Sequence, residues 1–214
     1  MPVNYTVSIT PNRLSYPGRS QGEARNHFAF AVIKNDGSVV TWGDSLYGGN
    51  STAVARALAG EIDVTQIYSN MYAFAALRAD GSVITWGSSS EGGDSSAVAS
   101  ALAGTIEVTQ IFSTDKAFAA LRSDGSVVTW GDSSWGGDSS VASALDGRIK
   151  VTQIFSTNGA FAALRTDGSV ITWGASSFGG DSSVVASALN GTIDITLIYS
   201  TRYVAIPNLN PCHT

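Results

Sequence analysis

The sequence predicts an all-β repeat protein built from about four copies of one unit. Residues 117–140, AFAALRSDGSVVTWGDSSWGGDSS, have close copies that begin near residues 29, 73 and 160. Trp-Gly pairs at Trp42, Trp86, Trp130 and Trp173 follow one another at intervals of 44, 44 and 43 residues. A period in the forties is typical of propellers and solenoids, whose units stabilise one another.

Each unit contains a predicted β-hairpin. In the third copy an apolar run, residues 117–121, is followed by Arg-Ser-Asp-Gly-Ser and then by a second apolar run, residues 127–130. An Asp-Gly pair favours a tight turn, because glycine adopts a positive φ without steric cost. Both faces of the second strand are apolar, so each hairpin has to lie between two neighbours. The pair recurs at Asp36-Gly37, Asp80-Gly81 and Asp167-Gly168.

Two further elements complete the predicted unit. Val108–Ser113, VTQIFS, precedes the hairpin and is predicted to be a strand. The Ala-rich segment VASALDG follows the hairpin, and Asp138 or Ser139 is placed to cap a short helix there. In the second copy Val98 and Leu102 lie four residues apart and are expected to face the core together. We therefore predict three strands and a short helical turn in each unit.

The ends of the chain predict how the repeat begins and closes. We predict an N-terminal arm in residues 1–25, a four-repeat propeller domain in residues 26–206 and a C-terminal tail in residues 207–214. The first hairpin, residues 28–42, lacks a preceding strand of the VTQIFS type, whereas residues 195–200, ITLIYS, form such a strand at the other end. Exchange of terminal strands removes exposed sheet edges. We therefore expect a small β-propeller of about four blades, closed by the C-terminal strand.

Composition limits the functions that this chain can have. The 214 residues are 43% hydrophobic and carry a formal net charge of −5 without any basic cluster. Nucleic-acid binding is not expected, because it depends on clustered Lys and Arg. No signal peptide is recognisable, and no run approaches the ~18 apolar residues of a membrane span. We expect an acidic, soluble chain, and leave open an extracellular location or a place in a membrane-peripheral assembly. Cys212 is single, so it has either no role or an intermolecular one.

The order of elements resembles a known repeat. The segment VTQIFSTDKAFAALRSDGSVVTWGDSSWGG and its three relatives, over about residues 26–206, are similar to the repeat of the regulator of chromosome condensation family. Members of that family are β-propellers, usually seven-bladed, that serve as exchange factors for small GTPases, as enzyme inhibitors or as interaction platforms. The resemblance implies a propeller that binds proteins. It does not imply nucleotide exchange, because no inserted segment matches the GTPase-contacting element.

The candidate contact residues are the positions that differ between otherwise similar copies. One variable set lies in the loop between the first and second strands, and these loops are expected to emerge on one rim. The other set precedes the Gly-Gly pair after the hairpin. The candidate partner-binding residues are His27, Met71, Tyr72, Asp115, Lys116, Asn158, Arg202 and Tyr203 in the first set and Tyr47, Glu91, Trp135 and Phe178 in the second.

The aromatic members of the second set have two interpretations. They cap the hydrophobic layer between blades, or they form a contact surface, because aromatic side chains bury a large area at a small entropic cost. The Gly-Gly-Asp aspartates Asp94, Asp138 and Asp181 are predicted to cap helices rather than to bind calcium, because each loop supplies one carboxylate. The Asp-Gly aspartates are predicted to be turn residues rather than paired catalytic acids.

These observations predict a non-enzymatic protein-interaction or structural module, which is a subunit of a larger assembly. Neither histidine, His27 or His213, lies in a recognisable catalytic motif. No catalytic, cofactor-binding or metal-binding residue is predicted. The alternative is a lectin-like propeller, because exposed aromatic side chains beside Asp and Asn suit carbohydrate binding. The sequence does not identify the partner.

Overall fold

The computed structural model describes residues 26–138, 141–193, 195 and 197–200. In these ranges eleven β-strands form four antiparallel sheets, the first with two strands and the others with three each. The predicted arm and tail, with Cys212, lie outside the described residues. We call each sheet, together with the loop that follows it, a blade.

The strands repeat in chain order. The first sheet contains β1 (Ala29–Ile33) and β2 (Val39–Gly43). The second contains β3 (Val64–Ser69), β4 (Ala73–Arg78) and β5 (Val83–Gly87). The third contains β6 (Val108–Ser113), β7 (Ala117–Arg122) and β8 (Val127–Gly131), and the fourth β9 (Val151–Ser156), β10 (Ala160–Arg165) and β11 (Val170–Gly174). The first strands of successive three-stranded sheets lie side by side, β3 beside β6 and β6 beside β9.

Short helical turns follow each hairpin, as the Ala-rich segments predict. Their bounds are Ser45–Tyr47, Thr52–Val54, Ser89–Gly93, Ser96–Leu102, Ser133–Trp135, Ala142–Ala144, Ser176–Phe178 and Ser183–Ala188. The predicted N-cap at Asp138 or Ser139 is wrong, because the turn begins at Ala142 with Val141 at its N-cap. Asp94 and Asp181 do cap the corresponding turns, but from one residue before the N-cap: each carboxylate accepts the amide hydrogen bond of the residue two positions later.

The four Asp-Gly turns form as predicted. Their glycines have φ between 71° and 83°, in the left-handed region. In the first turn Asp36 Oδ1 accepts hydrogen bonds from the Ser38 amide at 3.1 Å and the Ser38 hydroxyl at 2.6 Å. These two donors, the hydroxyl first, lower the pKa of Asp36 from 3.8 to about 2. The Ser169 hydroxyl and amide likewise lower the pKa of Asp167.

Successive blades pack through one repeated contact. The later blade contributes a stacked Phe-Trp pair, and the earlier blade contributes the alanines of its hairpin. Phe118 and Trp130, with ring centroids 5.2 Å apart, lie against Ala73 and Ala75 and are 0% and 4% exposed. The pairs Phe74–Trp86 and Phe161–Trp173 are packed in the same way on the blades before them.

A glycine of the earlier blade completes each contact. Trp130 Nε1 donates a hydrogen bond to the Gly92 carbonyl at 3.1 Å, and Trp86 and Trp173 donate to Gly48 and Gly136 in the same way. Gly92 has φ +100°, and a Cβ there would lie 2.7 Å from the Phe118 ring. Only glycine therefore allows the aromatic pair to approach.

Both ends of the array are open in the described part of the chain. Phe30 and Trp42, at the positions of Phe118 and Trp130, are 64% and 49% exposed. There β1 pairs with β2 alone. The Ile195 amide donates to the Gly168 carbonyl at 3.4 Å, and Ile198, Tyr199 and Ser200 line a groove with residues of the fourth sheet. Among the described residues no pairing joins this segment to β1, so ring closure by the C-terminal strand stays a prediction.

Truncation of a core aromatic residue tests the repeated contact. We expect Phe118→Ala to lower the free energy of unfolding by about 3–5 kcal/mol, because it removes a fully buried ring and leaves a cavity. Val184→Ala is the control: Val184 is 92% exposed, so its truncation should change the free energy by less than ~0.5 kcal/mol. Urea unfolding followed by tryptophan fluorescence measures both. Equal effects would contradict the described packing.

The pH dependence of stability tests the hydrogen bonds between Asp and Ser in the Asp-Gly turns. Because the pKa of Asp36 is lower in the folded chain, its hydrogen bonds stabilise the fold above pH 3.8, and this contribution is lost as the pH falls through about 2. We expect Ser38→Ala to raise the pKa of Asp36 in a ¹³C-carboxyl NMR titration. The same variant should lose less stability than the wild type between about pH 4 and pH 2. Ser134→Ala is the matched control; an unchanged Asp36 pKa in Ser38→Ala would contradict this assignment.

Candidate functional site

The candidate site lies on the rim that carries the loops between the first and second strands. The first residue of each loop fixes its conformation by accepting backbone hydrogen bonds. Asn70 is fully buried, and its Oδ1 accepts from the amides of Tyr72 at 2.9 Å and Ala73 at 2.8 Å. Thr114 Oγ1 accepts from the Ala117 amide at 3.0 Å in the next copy. Asn and Thr therefore do the same work at this position.

These side chains also bring the second variable set onto the same rim. Asn70 Nδ2 donates to the Glu91 carbonyl at 2.5 Å, and the Thr114 hydroxyl donates to the Trp135 carbonyl at 3.0 Å. The other copies repeat the bond, with Asn26 to Tyr47 at 2.7 Å and Thr157 to Phe178 at 2.9 Å. The two sets that differ between copies are thus neighbours in space.

Backbone hydrogen bonds join each rim loop to the next. The His27 amide donates to the Met71 carbonyl at 3.3 Å, the Met71 amide to Asp115 at 3.1 Å, and the Asp115 amide to Asn158 at 2.7 Å. Asn158 Nδ2 also donates to Asp115 Oδ2 at 2.9 Å. Met71, Asp115 and Asn158 therefore hold the rim together across blade boundaries.

A row of aromatic side chains, interrupted by one lysine, crosses all four blades along this rim. The ring centroids of Phe28 and Tyr47 are 4.5 Å apart, and those of Tyr47 and Tyr72 are 5.4 Å apart. Lys116 Nζ lies 6.0 Å from the Tyr72 centroid and 5.2 Å from that of Trp135. His27 lies beside Phe28 at one end, and Phe178 beside Trp135 at the other. We call His27, Phe28, Tyr47, Tyr72, Lys116, Trp135 and Phe178 the aromatic row.

The aromatic row agrees with both interpretations of the second variable set, as a cap on the layer between blades and as a contact surface. Its rings pack against one another across blade boundaries, yet none is fully buried, and His27, Phe28 and Phe178 are exposed. Lys116 between two ring faces is a cation–π arrangement, which is worth about 0.5–1 kcal/mol at a partly exposed site. The row is therefore held in place before any ligand arrives.

One predicted residue of the second set, Glu91, is not part of the row. Glu91 replaces the aromatic residue in the second copy, and its carboxylate accepts hydrogen bonds from the hydroxyls of Ser88 and Ser90. Lys116 connects Tyr72 to Trp135 across that position. Arg202 and Tyr203 lie outside the described residues, so their predicted place on this rim is untested.

The aspartates of the four Asp-Gly turns take part in hydrogen bonds within their own loops. Each Asp-Gly carboxylate bonds within its own turn, as Asp124 does with the Ser126 amide at 2.9 Å, so the aspartates act as turn residues as predicted. In the part of the chain that is described, no three His, Cys, Asp or Glu side chains are grouped to hold a metal ion. None of the helical turns in those ranges has the length and apolar character to cross a bilayer.

Comparison with known proteins gives structural neighbours of this chain but no family and no related protein of known function. No protein-family model and no curated protein matches the sequence. Among solved structures, Prp20p from Saccharomyces cerevisiae is 19% identical, over 73% of this chain and 44% of that one, with a TM-score of 0.50. The ectodomain of the Physcomitrella patens receptor kinase CR4 is 17% identical over 70% and 39% of the two chains (TM-score 0.48), and human WBSCR16 is 18% identical over 74% and 48% (TM-score 0.44).

The comparison supports a β-propeller repeat fold. Four antiparallel sheets in chain order, each followed by a short helical turn, agree with it. The chain spans less than half of the length of each of these solved structures.

The loop-fixing residue provides a test of the rim. We expect Asn70→Ala to lower the free energy of unfolding by about 1–3 kcal/mol, because two buried amides and the Glu91 carbonyl lose their partner. Hydrogen exchange of the Tyr72 and Ala73 amides should accelerate. Asn70→Thr is the matched control, since threonine occupies this position in two other copies, and it should retain most of the stability. An equal loss in both variants would contradict the assigned role.

Proposed function

We propose that this chain is a non-enzymatic protein-interaction module of the regulator of chromosome condensation type and a structural subunit of a larger assembly. The observation that carries the proposal is the aromatic row. It supplies several large rings on one rim, fixed by their neighbours and by the hydrogen-bonded loops beneath them. Tyr and Trp are enriched among the residues that dominate binding energy at protein interfaces.

Rigidity favours the row as a binding surface. Association costs free energy when mobile side chains become ordered. Here Lys116 already lies over the rings of Tyr72 and Trp135, and the loops that carry Tyr72 and Lys116 are joined by the Met71–Asp115 hydrogen bond. Binding of a partner therefore costs little free energy for the ordering of these side chains.

The partner is expected to be a protein with an apolar patch beside acidic groups. Lys116 is the cation at the centre of the row, and the rings on either side present apolar faces. Prp20p, which has a similar fold, is described with binding properties toward Gsp1p and histones. That a protein of similar fold binds other proteins supports the proposal. The partners of Prp20p are not assigned to this chain.

We propose further that residues 195–200 supply the strand that completes the first sheet and closes the ring. The first sheet has two strands where the others have three, and this C-terminal segment is similar in sequence to β3, β6 and β9. Its addition to β1 would give four equal blades and remove a free sheet edge.

Loss of binding in a row variant tests the proposal. Affinity capture from the native source, followed by mass spectrometry, identifies proteins that are retained by the wild type. We expect the double variant Lys116→Ala/Trp135→Ala to bind the principal partner at least ~10-fold more weakly, as removal of two interface anchors implies. Val184→Ala, which alters an exposed apolar residue outside the row, should bind as the wild type does.

Two results would contradict the proposal. One is capture of the same partner with equal affinity by the row variant. The other is a saccharide signal on a glycan array that Trp135→Ala abolishes while no protein partner is retained, since this outcome would favour the lectin-like alternative.

A further inference from the structure

The first end of the array exposes the surface that is buried in every later blade. Phe30, Val32, Val40 and Trp42 lie on one side of the first hairpin, and all four are exposed. We call them the aromatic end face. Phe30 and Trp42 stack with centroids 5.2 Å apart, as the buried pairs do. No described residue accepts a hydrogen bond from Trp42 Nε1, whereas the other three indoles of these pairs each donate to a glycine carbonyl.

The last end carries the surface on which such a face normally rests; there Gly179 is exposed and Ala162 is half-buried. Gly179 has φ +95°, close to the +94° of Gly136, but among the described residues a Cβ there would have no neighbour within 4 Å. A groove beside it is lined by Ala160, Ala162 and Phe178 and by Tyr199 of the C-terminal segment. We call Ala162 and Gly179 the glycine end face; Ala160 beside them is buried within the chain. Tyr199 is 87% exposed, whereas Phe155, at the same place in β9, is buried.

We propose that a second copy of this chain completes the ring. The aromatic end face of each copy packs on the glycine end face of the other, with Trp42 Nε1 donating to the Gly179 carbonyl of the opposite copy. Residues 195–200 of one copy pair with β1 of the other and supply its third strand. The contact is the one that already occurs three times within each chain.

The shape of the array favours a second copy over closure within one chain. Both end faces are unpaired among the described residues: Trp42 is 49% exposed, and nothing lies within 4 Å of a Cβ placed on Gly179. Two copies related by a two-fold axis bury both pairs of end faces and leave no free end, whereas a single contact would leave one aromatic end face and one glycine end face free.

The mass of the full-length chain in solution is the first test. Native mass spectrometry and light scattering should give a dimer for the wild type. Phe30→Asp in the aromatic end face and Ala162→Glu in the glycine end face should each raise the dimer dissociation constant at least ~100-fold, because each buries an unpaired charge. Val184→Asp is the control: it adds the same charge at an exposed position outside both faces and should remain dimeric. Unchanged circular dichroism shows that each variant is folded.

Mixing the two monomeric variants tests the pairing of the faces. Phe30→Asp keeps an intact glycine end face, and Ala162→Glu keeps an intact aromatic end face. An equimolar mixture should therefore form a 1:1 heterodimer through one intact contact, while neither variant dimerises alone. A monomeric wild type, an open series of oligomers, or a mixture that stays monomeric would overturn the proposal. The ring of two chains does not depend on the aromatic row, so loss of row binding leaves this result unchanged.

Discussion

The structure depends on the contact between a stacked Phe-Trp pair and the alanine-rich hairpin of the blade before it. The alanines let the two sheets approach closely, and the glycine carbonyl satisfies the indole N–H that this close approach would otherwise bury without a partner. The contact fixes both the distance and the orientation between blades. Because every internal boundary uses it, curvature is a property of the repeated unit.

The rim shows how a uniform scaffold carries a varied surface. Beneath the rim, the side chain of Asn70 or Thr114 holds its loop through backbone atoms, whatever side chains the loop presents. The bonds between loops, such as Met71 to Asp115, are also made by backbone atoms. The outward residues are thereby free to differ without loss of the fold. The aromatic row is assembled from such residues, one or two from each blade.

The sequence predicts the local elements well because their causes are local. The strands β6, β7 and β8 lie within a residue of the predicted bounds, and the Asp-Gly turns follow from the conformational freedom of glycine. The helical turn of the third blade begins at Ala142 with Val141 at its N-cap, later than a cap at Asp138 or Ser139 predicts. The bond between Trp130 and Gly92 joins residues 38 positions apart, which no local pattern reveals. The sequence identifies the two variable sets but not their proximity. Their proximity depends on the hydrogen bonds of Asn70 and Thr114. The only local signal of those bonds is that this position is Asn or Thr in every copy.

Because the blade boundaries are nearly identical, a hairpin can pack on the wrong neighbour while the chain folds. A hairpin that emerges from the ribosome meets earlier hairpins with nearly equivalent surfaces, and contact chemistry alone does not distinguish the adjacent one from one further away. Chain entropy favours the neighbour by only about 0.6 kcal/mol for each doubling of the intervening length. Sequential folding during synthesis favours the correct order, because the blade that folded last is the one whose alanine-rich face is still uncovered when the next hairpin emerges. A chain refolded from denaturant lacks that order and is exposed to permuted arrangements of its own units.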